Sequence, residues 1–318
     1  MERREASGVA DEIFEVIEGA LTTKDCKLLL CGNPTKASGR FFESITTDKA
    51  NGIFWSFRVS CEDSPRVSRE YIDGMIKKYG KDSNVVRVRV FGLPPKDDPD
   101  VLIPIELVSD SVLLELFPVK SDILEFGLDV ARFGDDETVL AGRRGPCLQS
   151  IEAWTKEDTV STAKKAFNRV VEEMIEQRVS KAKIKVDDTG VGGGVTDNLR
   201  RLVTKHKRTG DIIICPCHNG GSPEDKAHFT DWATEQWCKL KDGLNTKSIK
   251  LLADEDLEGQ LSTRRYGFNS KSKLRLETKD EMKSRGLRSP DRAEAVVLAF
   301  ANPSKGKLKG TAKKPKGF

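Results

Sequence analysis

The length, composition and charge of the chain exclude several classes of protein. It has 318 residues, of which 37% are hydrophobic and 33% charged, and no apolar stretch approaches the roughly 20 residues that a membrane-spanning helix needs. A chain this long buries a large core, so we expect a soluble globular protein rather than a small disulfide scaffold. The charged start at Met1 leads into no apolar signal core, and the seven scattered cysteines suit a reducing compartment, which predicts a cytoplasmic protein.

The positive charge is concentrated at the end of the chain. The net charge is +4, and residues 303–318 contribute six lysines and no acid, which leaves 4 minus 6, or −2, for the remainder. A segment rich in Lys, Gly and Pro buries too little apolar surface to offset its ordering entropy, so this tail is predicted to be disordered. Its lysines suit either solubility or weak contacts with a phosphate backbone.

The first part of the sequence, up to about Val90, is typical of alternating helices and strands. An amphipathic helix is predicted over 13–20, and the apolar run 28–31 predicts a buried strand that feeds a loop. A second helix is predicted over 68–79, where Gly80 supplies a natural C-terminal stop.

A linker is predicted next. The segment 93–100 is rich in proline and acidic residues and lacks periodicity, as the edges of domains do. We therefore divide the chain into four parts: a first unit over 1–93, a linker over 94–120, a second domain over 121–302 and the basic tail over 303–318.

The second domain has a regular pattern of strands and helices. Three strands joined by glycine-containing turns are predicted as an antiparallel meander, over 123–130, 137–143 and 147–154. They are followed by a helix over 158–179, a strand over 182–187, a helix over 195–205, a strand over 211–217 and a helix over 225–241. The last helix is predicted to begin with Ser289 as its N-cap and Pro290 in its first turn.

Two of these strands end in aspartate, at Asp129 and Asp187. The crossover helix between them predicts that the strands lie side by side and parallel, so that their carboxylates converge. Asp291, which opens the last helix, is a candidate third member. Oxygen ligands without His or Cys suit Mg²⁺ or Mn²⁺, and two such ions roughly 4 Å apart activate water for phosphodiester hydrolysis. The alternative is structural, because Asp is common at strand ends and helix starts.

Three further features leave alternatives open. The glycine-rich loop 190–195 either cradles a phosphate or makes a tight turn before a helix. The cluster Cys215-Pro216-Cys217-His218 raises zinc as an alternative, although its spacing matches no usual ligand pattern. Trp232 and Trp237 lie on a predicted helix and are expected in the core rather than in a base-stacking platform.

Three segments of the second domain resemble the acidic motifs in the nuclease part of tailed-phage terminase large subunits. They are Gly127-Leu128-Asp129-Val130-Ala131-Arg132-Phe133-Gly134-Asp135-Asp136-Glu137-Thr138, Val186-Asp187-Asp188-Thr189-Gly190-Val191-Gly192-Gly193-Gly194-Val195 and Ser289-Pro290-Asp291-Arg292-Ala293-Glu294-Ala295. Their order and separations match that family, and the resemblance runs from about Glu5 to Phe300. It implies an RNase H-like fold, with a mixed α/β sheet flanked by helices.

The resemblance also implies roles for particular acids. Asp129, Asp187 and Asp291 match the catalytic, metal-binding positions of a metal-dependent endonuclease. Asp188 and Asp136 are second-rank metal ligands, because adjacent acids leave the register open in two of the motifs.

The first unit resembles the second half of the ATPase domain of the same family, a partial α/β subdomain of the P-loop type. Glu5 matches the acid that polarises water at the end of the Walker B segment, and Gly32-Asn33-Pro34-Thr35 is similar to the motif that couples hydrolysis to movement. Arg4 stands where a Mg²⁺-ligating Asp is expected, and the Walker A loop with its lysine is missing before Met1. We therefore expect ATP to act only if a missing motor half is supplied.

Taken together, the resemblance implies a truncated or split terminase large subunit, encoded by a phage or prophage. It would cut double-stranded DNA with two Mg²⁺ or Mn²⁺ ions and without a covalent intermediate. Its implied partners are double-stranded DNA, a portal protein and a terminase small subunit, with no membrane. The alternatives are another RNase H-like nuclease of the resolvase or transposase type, and a non-catalytic remnant or packaging-complex subunit.

Overall fold

The structure is a computed structural model that describes residues 6–9, 11–22, 25–36, 39–96, 101–131, 136–206 and 211–302. Glu5 and the tail over 303–318, for which the sequence makes predictions, lie outside these residues. Within the described ranges, no helix is long and apolar enough to cross a membrane.

The regular structure described before residue 121 is helical. Short 3-10 turns occupy Ala6–Gly8 and Cys61–Asp63, and the helices are α1 (Asp11–Ala20), α2 (Arg40–Ile45), α3 (Thr47–Ala50), α4 (Arg69–Tyr79), α5 (Asn84–Arg89) and α6 (Ile105–Val112). Helices α1 and α4 are the two predicted over 13–20 and 68–79. At α4 the Ser68 hydroxyl accepts a hydrogen bond from the Tyr71 N–H, and Gly80, with a φ of 81°, ends the helix. Helix α6 lies in the segment expected to be a linker, and its Val108 is buried in a core that it shares with the second domain.

The predicted strand over 28–31 is wrong. These residues form no strand, and Leu29 is 85% exposed, because no strand among the described residues forms a ladder with them; the Cys31 carbonyl accepts one hydrogen bond, from the Ala6 N–H. A second irregular segment exposes a large apolar side chain at every second position, namely Ile53, Trp55, Phe57 and Val59. We call these four residues the apolar ridge.

A five-stranded mixed sheet forms the centre of the second domain. Its strands are β1 (Leu124–Asp129), β2 (Thr138–Arg144), β3 (Cys147–Trp154), β4 (Lys181–Asp187) and β5 (Asp211–Cys217), in the spatial order β3-β2-β1-β4-β5. Strands β1 to β3 pair antiparallel, whereas β4 is parallel to both β1 and β5. The predicted meander and the parallel pairing of the two strands that end in aspartate are both confirmed.

Helices cover both faces of this sheet. The helices α7 (Thr159–Glu176) and α8 (Gly192–Lys205) pack on one face. The other face carries α9 (Trp232–Asn245), α10 (Glu255–Leu261) and α12 (Asp291–Phe300), and between α10 and α12 lie the antiparallel hairpin β6 (Tyr266–Phe268) and β7 (Leu274–Leu276) and the short helix α11 (Lys279–Ser284).

Three of these helices start elsewhere than predicted. Helix α8 begins at Gly192 rather than at 195. Helix α9 begins at Trp232 rather than at 225, because the Asp231 side chain accepts from the Thr234 N–H and caps it there. Helix α12 begins at Asp291 with Pro290 at its N-cap, so Ser289 is not the cap, and its buried hydroxyl has no hydrogen-bond partner.

Helix α12 lies directly on β1. A Cβ atom on Gly127 would stand 2.0 Å from the Ala295 carbonyl oxygen and 2.4 Å from the Ala299 nitrogen, so no side chain fits between strand and helix. At the far end of α12, the Ala299 carbonyl accepts hydrogen bonds from Arg143 and Lys185, each at 2.7 Å. The helix therefore runs antiparallel to β1, and its first residue reaches the carboxyl end of that strand.

The substitution Gly127→Ala should destabilise the protein, because the added methyl group forces α12 away from β1. We expect the free energy of unfolding, measured by urea denaturation, to fall by about 1–3 kcal/mol. Gly267→Ala is the matched control, since it also lies in a strand but has no atom within 4 Å of its Cβ position. Equal stability of the two variants would contradict the close packing.

Candidate active site

The candidate site lies at the carboxyl edge of the parallel strands β1 and β4. Asp129 and Asp187 are the last residues of these strands, and the register pairs Leu128 with Val186 immediately before them. The contact of α12 with β1 brings Asp291 to the same edge. Carboxyl ends of parallel strands commonly form binding crevices in α/β proteins.

One ammonium group joins two of these three aspartates. The Nζ atom of Lys279 lies 3.3 Å from Oδ2 of Asp129 and 3.3 Å from Oδ1 of Asp291. Both aspartates are 4% exposed. The second carboxylate oxygen of Asp291 accepts a hydrogen bond of 2.9 Å from the Glu137 N–H, which fixes its orientation.

Asp187 borders this pair. Its Oδ1 accepts from the Thr189 N–H at 3.1 Å and its Oδ2 from the Asn219 amide at 2.8 Å. Its charge contributes to the raised pKa of Asp129. Among the residues that the structure describes, no three His, Cys, Asp or Glu side chains are already assembled as a metal site, so the three aspartates are neighbours rather than a finished ligand set.

The two second-rank acids differ in their surroundings. Oδ2 of Asp136 lies 3.3 Å from Nζ of Lys283, one turn after Lys279 on α11, and its charge raises the pKa of Asp291. Asp188 instead faces His218, at 3.9 Å between Oδ2 and Nε2, and its Oδ1 is buried without a partner.

Burial and crowding favour the protonated form of these carboxyls. Burial raises the pKa of Asp129 to about 7, and the nearby carboxylates of Asp291 and Glu294 add to the rise, although Lys279 opposes it. Burial likewise raises the pKa of Asp187 and of Asp291. The site therefore holds more acidic groups than one ammonium neutralises, and an additional cation would be bound favourably.

A fourth acid, Glu294, lies one turn after Asp291, but its negative charge is already paired with a basic side chain. It forms a buried ion pair with Arg264, and the Trp237 indole N–H lies 3.4 Å from its Oε2. Burial acts to raise the pKa of Glu294, but the positive charges of Arg264 and Lys279 outweigh this effect, so the pKa lies below its usual value. Glu294 therefore holds α12 against its neighbours as an anion.

Sequence reasoning missed Lys279, Asn219 and Glu137. The local signal at Lys279 is the capping box formed by Thr278 and Glu281, which marks the start of a helix. That signal does not reveal that this helix returns to the end of β1.

The alternatives raised by the sequence are resolved in part. Gly192 packs against β4, where a Cβ would stand 1.7 Å from the Asp187 carbonyl oxygen, as a tight turn requires. Cys217 is buried, its thiol lies 3.6 Å from the Cys215 carbonyl oxygen, and burial raises its pKa to about 12, which disfavours the thiolate that zinc needs. Trp232 and Trp237 are buried in the core, as predicted.

The chain is similar in sequence to one curated viral protein. No protein-family model matches it. It is 26% identical over 312 residues to the "Probable terminase, large subunit" of Enterobacteria phage P7. The match covers 93% of this chain and 62% of that protein, so the chain spans less than two thirds of the relative's length.

Solved structures share the fold. The nuclease domain of the large terminase subunit gp2 of bacterial virus Sf6 matches with a TM-score of 0.52 and 21% identity, over 64% of this chain and 100% of its own. A mutant of that domain with manganese and beta-thujaplicinol matches with a TM-score of 0.53, at the same identity and coverage. The mixed sheet is thus the RNase H-like sheet that the resemblance implied. The chain is therefore similar in sequence to a phage terminase large subunit, and it contains the fold of a terminase nuclease domain.

Proposed function

We propose that this chain is a metal-dependent endonuclease that cuts double-stranded DNA during phage DNA packaging. The observation that carries the proposal is the pair of buried carboxylates, Asp129 and Asp291, which face one ammonium at the carboxyl edge of β1 and β4. Relationship to the terminase large subunits supports the reaction class, and the fold supports the placement of the site.

We assign Asp129, Asp187 and Asp291 as the ligands of divalent cations, two Mg²⁺ or Mn²⁺ ions. The fit rests on donor chemistry: the set is made of carboxylate oxygens, which these ions prefer, and it carries excess acid. Asp136 stands beside Asp291 and is the stronger of the two additional candidates, since Asp188 faces His218. Cations bound here would supply the charge that activates water and stabilises the leaving oxygen.

The residues of the chain prepare this site before substrate arrives. The Glu137 N–H and the Asn219 amide orient the Asp291 and Asp187 carboxylates. Burial of Asp129 keeps water away from its oxygens, which strengthens its attraction to a cation. Lys279 balances part of the negative charge and keeps two of the acids together.

We further propose that the chain works in the host cytoplasm with a portal protein and a terminase small subunit. The first unit would bind ATP only as part of a complete motor domain, because the residues similar to the ATPase family include no phosphate-binding loop.

Cleavage should depend on Asp129. The parent protein should nick or linearise plasmid DNA with Mn²⁺ or Mg²⁺ and stop when the metal is chelated. Asp129→Asn should slow cleavage by more than about 100-fold, the upper range for groups that only support metal ligands. Asp73→Asn, an exposed position on α4, is the control and should cut at the parental rate.

Other outcomes of this assay separate the alternatives. Strand transfer instead of hydrolysis would favour a transposase-type enzyme. A parent that leaves plasmid intact with every divalent metal would sink the endonuclease and favour a non-catalytic packaging subunit.

Asp129→Asn should also be more stable than the parent protein in the absence of metal, by an amount that depends on pH. The pKa of Asp129 is about 7 in the native protein, against 3.8 for an ordinary Asp. Between these two pH values the native carboxyl keeps its proton, whereas the carboxyl of the unfolded chain has lost it. The native state therefore loses stability as the pH rises through this window. In EDTA we expect Asp129→Asn to raise the melting temperature by about 2–4 °C at pH 8, corresponding to roughly 1 kcal/mol, and by little at pH 4. A difference in melting temperature between variant and parent that does not change with pH would contradict the raised pKa of Asp129.

A further inference from the structure

Helix α10 belongs to the second domain and faces the first unit, which packs tightly on it. The Arg89 guanidinium of α5 makes two hydrogen bonds to the Glu258 carboxylate of α10, at 3.0 and 2.8 Å. The Tyr79 ring, at the end of α4, packs so closely that a Cβ on Gly259 would stand 2.3 Å from it. A shift of α4 would therefore displace α10, because the two helices are in direct contact.

The two carboxylate oxygens of Asp256 on α10 contact different parts of the protein, one the first unit and the other α12. Its Oδ1 accepts a hydrogen bond of 2.9 Å from the Tyr79 hydroxyl and pairs with the Lys78 ammonium. Its Oδ2 lies 3.4 Å from Nη2 of Arg292 on α12. One carboxylate thus joins the first unit to the first turn of α12.

Arg292 directly follows Asp291, and it leads from Asp256 into the candidate site. Its Nη1 donates to Asp254 at 2.7 Å, and its Nε lies 3.4 Å from the Glu137 carboxylate. Glu137 in turn donates its backbone N–H to the Asp291 carboxylate at 2.9 Å. The polar contacts from Tyr79 to Asp291 are therefore continuous.

A second contact holds the same turn from α10. The Gln260 side-chain oxygen accepts a hydrogen bond of 3.0 Å from the Ala293 N–H. The first turn of α12 is consequently held to α10 at two adjacent residues, Arg292 and Ala293.

We propose that Arg292 is a positioning residue that links the docking of α4 on α10 to the orientation of Asp291, and so sets the affinity of the acidic site for a divalent cation. This inference rests on the proposed metal-dependent function. Groups that orient metal ligands commonly affect metal affinity without touching the metal.

The test measures the dissociation constant for Mn²⁺ by isothermal titration calorimetry. Arg292→Ala should weaken binding by about tenfold, and Arg292→Lys should restore part of the loss. Lys78→Ala and Tyr79→Phe, which change only the first unit, should each weaken binding by about threefold. The double variant Lys78→Ala with Arg292→Ala should bind no more weakly than Arg292→Ala alone, because the connection is already broken.

Matched controls lie on the same helix. Lys77→Ala and Asp73→Asn change exposed side chains of α4 and should leave the dissociation constant unchanged. Melting curves verify that each variant is folded. A purely structural role of Arg292 would lower the melting temperature and leave Mn²⁺ affinity at the parental value.

Plasmid cleavage adds a second readout. Lys78→Ala should cut at the parental rate at saturating Mn²⁺ and fall behind only at low Mn²⁺. Unchanged Mn²⁺ affinity in both Lys78→Ala and Tyr79→Phe, or additive losses in the double variant, overturns the inference. A parent that binds Mn²⁺ without cutting DNA defeats the nuclease function, while the comparison of affinities still decides the inference; a parent that binds no Mn²⁺ defeats both.

Discussion

The contact of α12 with β1 is the constraint on which the site depends. Because Gly127 has no side chain, the helix backbone reaches the strand backbone, and the helix cannot be displaced along its axis without losing its fastenings at both ends. Those fastenings are the Ala299 carbonyl, which two basic side chains hold, and the Ala293 N–H, which Gln260 holds. The separation of Asp291 from Asp129 follows from this geometry rather than from any attraction between two acids.

Buried charge appears at both ends of α12, with opposite sign. At its C-terminal end Arg143 and Lys185 face the helix carbonyls and share the Glu125 carboxylate, and burial lowers the pKa of Lys185 to about 8. Cations at a helix C-terminus are favoured by the helix dipole, and acids at its N-terminus likewise. The helix thus stabilises the charge arrangement that makes the acidic edge, even though each buried ion carries a desolvation cost.

The sequence predicts the central sheet well because the signal for each strand is local. The bounds of β5 agree with the prediction at both ends, and those of β4 differ by one residue. Features that depend on distant partners were missed or wrong: the run 28–31 lacks a pairing strand, and Lys279 lies 150 residues from Asp129 in the chain. Strands β6 and β7 have three residues each, too few for a periodicity to be recognised.

The apolar ridge gives the protein a natural optical probe. The protein has four tryptophans. Trp154, Trp232 and Trp237 are at most 7% exposed, whereas Trp55, in the ridge, is 87% exposed and stacks on Phe57 with ring centroids 6.1 Å apart. A water-soluble quencher such as acrylamide therefore reaches the indole of Trp55 far more readily than the other three. Quenching and emission wavelength report selectively on whether the ridge is in water or covered, without any added label.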